Sequence, residues 1–191
     1  MSTKRLFIAV EMDESVRKRI AEMTAPLKKA NADVKWVQQD NLHITLKFLG
    51  EVDEGRIGVI VDAARGALAG FKPFVLTLGE LGTFPPRGKP RVIWLAIRDV
   101  GGVLAGMSGA LEKALEKEGF PAEDREFTAH LTLGRVRSPK GVERLEAAMA
   151  GLSAGAGGEF AQKVDKVFLV RSVLTSAGPV YSTEHAFQLV E

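Results

Sequence analysis

Two histidines of the chain lie in nearly the same local sequence, each followed two residues later by a threonine. His43 and Thr45 belong to "NLHITLKFLG" (41–50), and His130 and Thr132 belong to "AHLTLGRV" (129–136). The whole chain of 191 residues contains only three histidines. Both stretches alternate apolar with polar residues, which predicts a strand, and side chains two residues apart on a strand share one face at a spacing of about 6.6 Å. Each strand therefore presents an imidazole and a hydroxyl on the face that its apolar residues do not use.

Two imidazoles and two hydroxyls around one cleft suit displacement at a phosphodiester. The reaction needs a base beside the attacking oxygen and an acid beside the leaving oxygen, and histidine serves either role because its unperturbed pKa is about 6.5. Threonine hydroxyls can donate hydrogen bonds to the non-bridging oxygens, which carry negative charge through the transition state. No metal is required if the substrate carries an internal nucleophile or a strained ring. Repetition of the same pair favours a functional role over two separate structural histidines.

Other patterns in the chain point to rival sites, which the sequence disfavours. A zinc site requires three or four ligands, and the chain has no cysteine, no HExxH sequence and no acidic residue marked out as a further ligand. His185 in "STEHAFQ" has no threonine partner, so we interpret it as structural or exposed. "GTFPPRGKPR" (82–91) resembles a phosphate-binding P-loop, but five residues separate Gly82 from Gly88, and Pro90 replaces the required Ser or Thr. We reject both the zinc site and the P-loop.

Composition and charge describe an ordinary globular chain. Apolar residues make up 46%, the net charge is +2, and the positive residues are spread along the sequence, so an anionic ligand is permitted without being demanded. The absence of cysteine excludes disulfides. The first residues reach Glu11 and Asp13 too soon for the apolar core of a signal peptide, and no apolar run approaches about 20 residues. We expect a soluble intracellular protein in the cytoplasm, without a membrane partner.

The order of predicted elements favours an α+β fold with antiparallel sheet over a doubly wound parallel one. Strands are predicted over 5–12, 34–39, 42–50, 74–84, 91–100, 126–138, 164–175 and 178–190, the third ending at Gly50. Helices are predicted over 14–30, 53–70, 103–120 and 140–152, and "SAGAGGEF" (153–160) is predicted to be a flexible loop. The two histidines are 87 positions apart, 43 to 130, which fits a divergent internal duplication.

At these residues the chain resembles the two-histidine (2H) phosphoesterases. It is most similar to the bacterial and archaeal RNA 2′,3′-cyclic phosphodiesterases, also called LigT-like 2′-5′ RNA ligases. The similar segments run through the chain as "RLFIAV", "WVQQDNLHITLKFLGEV", "FPPRGKPRVIWLAI", "FTAHLTLGRVR" and "VFLVRSVLTSAGPVYS". One departure is Ala129, where many relatives have proline before the second histidine.

The resemblance implies how the fold and the site are organised. It implies one domain over residues 1–191, made of two lobes with one His-x-Thr motif each. Their two pseudo-symmetric antiparallel sheets would flank a central cleft, with helices on the outside. His130 would be the base that takes a proton from water, and His43 the acid that protonates the leaving 3′ oxygen, while Thr45 and Thr132 grip the phosphate. Arg135 matches a family arginine at the cleft, although strict alternation from His130 points it to the other face, so this role requires a twist or bulge.

The resemblance also implies a metal-independent enzyme that hydrolyses a terminal 2′,3′-cyclic phosphate of RNA to a 2′-phosphomonoester. Attack by a 5′-hydroxyl in place of water would give a 2′-5′ linkage without a nucleotide cofactor. We expect a monomer that uses neither metal nor cofactor. Two alternatives stay open: a 2H esterase for small cyclic nucleotides or an ADP-ribose-derived cyclic phosphate, and a non-catalytic protein that binds RNA ends.

Several further residues are candidates for contact with RNA. Lys47 shares the face of His43 and Thr45 by alternation, which makes it a candidate phosphate contact. Phe48 and Trp36 could stack on a base, but we favour apolar packing for both. Three basic residues of the 85–91 loop could line an RNA path, although turn solubility explains them equally well: Arg87, Lys89 and Arg91.

Overall fold

A computed structural model describes residues 2–124, 126–153, 160–176 and 178–190 of the chain. The strands in these residues are β1 (Thr3–Glu11), β2 (Val34–Trp36), β3 (His43–Asp53), β4 (Phe74–Phe84), β5 (Val92–Asp99), β6 (His130–Val136), β7 (Ala161–Val164), β8 (Lys166–Thr175) and β9 (Gly178–Gln188). The α-helices are α1 (Glu14–Lys29), α2 (Ile57–Leu68), α3 (Val103–Lys117) and α4 (Val142–Ser153). Short 3-10 turns over Gln39–Asn41 and Glu54–Arg56 precede β3 and α2. None of the helices in the described residues is long and apolar enough to cross a bilayer.

The strands form two antiparallel sheets, which confirms the predicted α+β fold. The first sheet has the order β3-β1-β8-β9, and the second has the order β2-β6-β5-β4-β7. β1 is the first strand of the first half of the chain, and β5 is the first strand of the second half. In each sheet the strand that carries the histidine lies next to the first strand of its own half, β3 next to β1 and β6 next to β5. The other neighbour of each first strand comes from the other half, because β8 lies in the first sheet and β4 in the second.

Helices cover the outer faces of both sheets. α2 packs against α3, and these two helices contact β9 and β3 of the first sheet; α1 packs against α4, which contacts β4 of the second. Each helix buries one apolar stripe, as α1 does with Val16, Ile20 and Leu27. Buried side chains of both sheets and all four helices form a continuous hydrophobic cluster.

The inner face of the first sheet carries a second, smaller apolar cluster of Phe7, Ala9 and Val170, against which Phe168 and Tyr181 pack. On β1 this cluster alternates with the core residues Leu6, Ile8 and Val10, so the strand is buried on both faces. This inner face is the one on which His43 lies.

Two predicted strands differ from the structure in length, and most of one predicted loop lies outside the described residues. Gly50 does not end its strand: β3 continues to Asp53, and Gly50 adopts a φ of 72° where the pairing with β1 shifts register. Glycine tolerates this left-handed conformation at a bulge. The predicted strand over 34–39 is shorter, since only Val34–Trp36 pairs with β6. Residues 154–159 of the predicted flexible loop lie outside the described residues.

Candidate active site

The two histidines open the strands on which they lie. His43 is the first residue of β3 and His130 is the first residue of β6. β3 is the edge strand of the first sheet, and it contacts β6 of the second. The contact brings the two His-x-Thr motifs together from opposite lobes.

Both imidazoles are anchored in the same way, through a backbone carbonyl two residues earlier. His43 Nδ1 lies 2.7 Å from the Asn41 carbonyl oxygen, and His130 Nδ1 lies 2.7 Å from that of Thr128. A carbonyl oxygen can only accept, so each Nδ1 must carry the proton. Each Nε2 is therefore left to exchange a proton with a ligand. The Asn41 side chain donates to the Pro179 carbonyl at 2.8 Å and ties the first anchor to β9.

Aromatic rings form a wall behind His43. Its ring centroid lies 4.8 Å from Phe7 and 5.2 Å from Tyr181, the latter in an edge contact. These contacts orient the imidazole and remove much of its water.

A matching aromatic wall lies behind His130. Phe84 and Trp94 approach its ring at 5.3 and 6.3 Å, both edge-on, and stack on each other at 4.9 Å. Trp94 Nε1 is buried and has no hydrogen-bond partner among the described residues. The two histidines therefore have equivalent surroundings in the two lobes, although the rings come from different strands.

The two imidazoles interact electrostatically. Burial lowers the pKa of His43 below its ordinary value of 6.5; its hydrogen bond with the Asn41 carbonyl opposes this, and the positive charge of His130 lowers the pKa further. Both burial and a nearby like charge disfavour the protonated form. In the free protein His43 is therefore biased toward neutral imidazole, and the influence of His130 reflects its closeness across the cleft.

Thr45 and Thr132 lie on the faces of their histidines. In the ladders Thr45 pairs with Ala9 of the inner apolar cluster, and Thr132 pairs with Trp94. Both threonines are half-buried. Neither hydroxyl donates a hydrogen bond within the described part of the chain, so both are available to a ligand.

A bulge follows each motif at the same offset. In the pairing of β3 with β1, the residue paired after Thr45 is Lys47, so one residue is skipped. In the pairing of β6 with β5, the residue paired after Thr132 is Gly134, so one residue is skipped there too. The skipped residues are Leu46 and Leu133, both buried. The alternation of faces therefore changes phase after each threonine.

The prediction that Lys47 shares the face of His43 is wrong because of this bulge. Lys47 pairs with the core residue Ile8 and has no solvent exposure. Its ammonium donates to Glu112 Oε2 and to the Pro121 carbonyl, both at 2.6 Å. It is a buried structural cation that faces away from the histidines.

The same bulge places Phe48 on the cleft side. Phe48 pairs with Phe7, lies 6.3 Å from its ring and is 55% exposed, so the predicted apolar packing is wrong for this residue. For Trp36 it is confirmed, since this ring packs against the main core. His185 is half-buried in edge contact with Phe187, as expected of a structural histidine.

Arg135 lies on the cleft face for the corresponding reason. Beyond the bulge it pairs with Val92 and is exposed. Burial raises the pKa of Tyr181 on the opposite sheet, and the charge of Arg135 partly opposes this, so the two groups lie close enough to interact. Arg87, Lys89 and Arg91 are exposed in the loop between β4 and β5, and no contact of their side chains with the site is present among the described residues.

No local pattern marks the aromatic residues that surround the histidines. These residues come from four different strands: Phe7, Phe84, Trp94 and Tyr181. The sequence around each of them looks like that of any other strand, so nothing local indicates a site. A metal site is not indicated either: no cluster of three or more His, Asp or Glu residues that could hold an ion is found in the described ranges.

The family model described as LigT like Phosphoesterase matches residues 10–94 and, a second time, residues 97–181. The chain belongs to this family. Each match contains one His-x-Thr motif, with the histidine 33 residues after the start of the match, 10 to 43 and 97 to 130. The double match agrees with the internal duplication that the motif spacing suggested.

Several known proteins are similar to the chain over nearly its whole length. The chain is 36% identical over 185 residues to an RNA 2′,3′-cyclic phosphodiesterase of Methanothermobacter thermautotrophicus, covering 97% of this chain and 98% of the relative. It is 35% identical to an enzyme of the same description from Archaeoglobus fulgidus, covering 96% and 99%. A crystal structure from Thermus thermophilus superposes with a TM-score of 0.79 at 27% identity over 97% of both chains. The E. coli LigT complex with 3′-AMP shares the fold, with a TM-score of 0.76 at 24% identity over the whole of both chains.

Proposed function

We propose that this protein is an RNA 2′,3′-cyclic phosphodiesterase and that His43 and His130 are its acid–base pair. The observation that carries the proposal is the matched anchoring of the two imidazoles. Both donate Nδ1–H to a backbone carbonyl, which leaves both Nε2 atoms free at one cleft. The full-length relatives with this described activity support the same reaction.

In the proposed reaction, water attacks the cyclic phosphate in line with the bond to the 3′ oxygen. His130 takes the proton from water as the new P–O bond forms, and His43 gives a proton to the 3′ oxygen as its bond to phosphorus breaks. The products are a 2′-phosphomonoester and a free 3′-hydroxyl. Thr45 and Thr132 donate to the non-bridging oxygens, where their unpartnered hydroxyls can stabilise the charge of the transition state.

The lowered pKa of His43 restricts this assignment of roles. An acid must be protonated before reaction, whereas burial and the charge of His130 favour neutral His43 in the free protein. An anionic phosphate beside His43 raises the pKa of this histidine, because an opposite charge stabilises the protonated form. We therefore assign the restoration of the His43 proton to substrate binding.

The same groups support ligation by the same steps with a different nucleophile. A 5′-hydroxyl of a second RNA replaces water, attacks the cyclic phosphate and forms a 2′-5′ linkage, with His130 again the base and His43 again the acid. The energy comes from the strained ring, so no nucleotide cofactor is consumed. Hydrolysis dominates because water is far more abundant than RNA ends.

Phe48 and Arg135 extend the proposed site beyond the reacting phosphorus. Phe48 keeps a large aromatic ring exposed beside Phe7, whose ring also contacts His43, and this suits stacking on a terminal base. Arg135 contributes an exposed guanidinium from the other sheet.

A single incubation tests the reaction. The purified protein, with EDTA present, is given an oligonucleotide that ends in a 2′,3′-cyclic phosphate, and the product isomer is identified. We expect the 2′-phosphate, and we expect His43→Ala and His130→Ala each to lower kcat by ~10²-fold or more. His185→Ala is the matched control, because this histidine packs on Phe187 away from the motifs and its loss should leave turnover intact.

Other outcomes of this incubation would contradict the proposal. Unchanged activity in the His43/His130 double variant would remove the acid–base pair. Inhibition by EDTA that zinc reverses would indicate a metallohydrolase instead. Faster turnover of small cyclic nucleotides or of an ADP-ribose-derived cyclic phosphate would assign the small-molecule alternative.

We also propose that residues 1–191 form one domain of two lobes, which acts as a monomer in the cytoplasm. The support for one domain is the continuous buried cluster, which includes Leu6 of the first sheet and Ile93 of the second. A single cooperative unfolding transition, followed both by circular dichroism and by tryptophan fluorescence, is the expected result. Sedimentation equilibrium tests the monomer.

A further inference from the structure

We propose that Arg5, Tyr181 and Arg135 form a second phosphate-binding subsite beside the histidine pair, and that it binds the internucleotide phosphodiester on the 5′ side of the terminal cyclic phosphate. The inference rests on the proposed function, because it concerns how far the RNA extends beyond the reacting phosphorus. Its consequence is specificity: an oligonucleotide end is preferred to a nucleoside cyclic phosphate.

Tyr181 connects this subsite to the acid–base pair. Its ring lies edge-on to His43 at 5.2 Å and to Phe7 at 5.1 Å. Its hydroxyl makes no hydrogen bond within the described residues. Burial raises the pKa of Tyr181, and the charges of Arg135 and Arg5 only partly oppose this, so the phenol stays protonated and can donate. A donor immediately beside His43 is in position for the phosphate next to the one that reacts.

Arg5 lies on the same face of the same sheet as Tyr181. It pairs with Ser172 of β8, which in turn pairs with Tyr181 of β9, so the three side chains form one row across the sheet. Glu51 lies opposite Arg5 on β3, but its carboxylate accepts a hydrogen bond from Thr3 at 3.4 Å. No ion pair of Arg5 occurs in the described ranges. Its guanidinium is exposed and available.

Arg135 approaches from the second sheet together with another cation. It lies directly opposite Lys35 in the β2–β6 ladder, and both residues are exposed. Like charges in directly opposite positions of a sheet are destabilising. Neither residue has an acidic partner in the part of the chain that the structure describes, so the repulsion is not relieved within the protein. A bound anion would relieve it.

The chemistry of these groups favours a phosphodiester. The reacting phosphate is already served by two imidazoles and two threonine hydroxyls, which leaves the two guanidinium groups and the phenol for a different anion. Guanidinium donors match phosphate oxygens in pairs. A single RNA strand offers one such charge at every nucleotide step, so the next anion along the substrate is the internucleotide phosphate. A nucleoside cyclic phosphate has no second phosphate to place there.

The test has two arms. One removes the negative charge of the internucleotide phosphate from the substrate, and the other removes the proposed phosphate-binding groups from the protein. A cyclic-phosphate-terminated dinucleotide is prepared with either a normal or a methylphosphonate internucleotide linkage, the second being neutral. For wild type we expect kcat/KM to fall ~10-fold with the neutral linkage, as for loss of one or two charge-assisted hydrogen bonds. This arm uses unmodified protein, so folding of a variant cannot obscure it.

The protein arm compares Arg5→Gln, Arg135→Gln and Tyr181→Phe with the control Arg65→Gln, an exposed arginine of α2 paired with Asp62. Each subsite variant should lower the preference for the normal dinucleotide over a nucleoside 2′,3′-cyclic phosphate and reduce the effect of the neutral linkage; the control should do neither. The arginine variants should also flatten the dependence of log KM on log salt concentration by about 0.7 for each phosphate that the protein no longer neutralises.

Two results would overturn the subsite. The first is equal turnover of both linkages by wild type. The second is an equal impairment of the nucleoside cyclic phosphate and the dinucleotide in the three variants, which would place these residues on the reacting phosphate. Absence of turnover of every cyclic phosphate by wild type is a separate result, which refutes the proposed function itself.

Discussion

Gly82→Ala tests whether the aromatic wall positions His130. Gly82 of β4 pairs with Trp94 of β5, and a Cβ added at Gly82 would lie 2.4 Å from Cζ2 and 2.7 Å from Cε2 of the indole. Carbon atoms pack at about 3.5–4.0 Å, so the indole must move by about 1 Å. The indole stacks on Phe84, and both rings contact His130. The displacement therefore reaches the imidazole through both rings of the wall.

The structure sets the expected magnitudes. Overpacking of this kind costs about 1–3 kcal/mol of unfolding free energy, and about 2–4 °C of Tm per kcal/mol is expected for a chain of this size. Misplacement of a catalytic group by about 1 Å can lower the rate by on the order of 10²-fold. Since the imidazole keeps its Nδ1 hydrogen bond with the Thr128 carbonyl, we expect a loss in kcat of ~10- to 100-fold, with a smaller change in KM.

The assay is hydrolysis of a nucleoside 2′,3′-cyclic phosphate well below the Tm, with the folded fraction checked by circular dichroism. Gly109→Ala in α3 is the matched control, because nothing lies within 4 Å of its added Cβ. Alanine in that helix should raise stability by up to about 1 kcal/mol and leave kcat unchanged. Gly82→Ala with wild-type kcat, or with a loss explained entirely by unfolded protein, would refute the positioning role of the wall.

Three further predictions concern His43, the two threonines and Lys47. In the free protein His43 should titrate below 6.5 by proton NMR, and His130→Ala should raise its pKa while burial keeps it below that value; no change would mean that the rings are not neighbours. Because folding lowers this pKa, the contribution of His43 to stability is complete above 6.5 and is lost as the pH falls through the lowered value. Thr45→Val and Thr132→Val should each lower kcat by ~10- to 100-fold in the cyclic-phosphate assay, since each removes one donor to the phosphate; equal activity would leave the hydroxyls without a role. Lys47→Ala should lower the unfolding free energy in urea by about 3 kcal/mol, because its carboxylate partner loses a buried counter-charge, and a loss under about 0.5 kcal/mol would contradict the structural role.

Much of the fold could be predicted because its elements carry local patterns. The helix α1 repeats apolar residues at Val16, Ile20 and Leu27, and the hairpin of β8 and β9 is bounded by turn residues. The two histidine strands were recognisable because the same His-x-Thr pair occurs in two stretches that alternate apolar with polar residues. In each case the signal lies within about a dozen neighbouring residues.

The remaining features of the site depend on pairing between distant strands. Lys47 was placed on the wrong face because a bulge at Leu46 changes the phase, and nothing in "LHITLKF" marks that position. A bulge of the same kind at Leu133 brings Arg135 to the cleft, where strict alternation would have excluded it. The position of Tyr181 beside His43 follows from the order of four strands, which local patterns do not determine.

The exchange of β4 and β8 between the sheets has a mechanical consequence. Each half of the chain contributes an inner strand to the sheet that carries the histidine of the other half. Separating the two halves would therefore break the β1–β8 pairing in the first sheet and the β4–β5 pairing in the second. Neither half of the chain can therefore complete a sheet on its own. Fragments that correspond to the two halves, produced apart, should regain activity only when mixed.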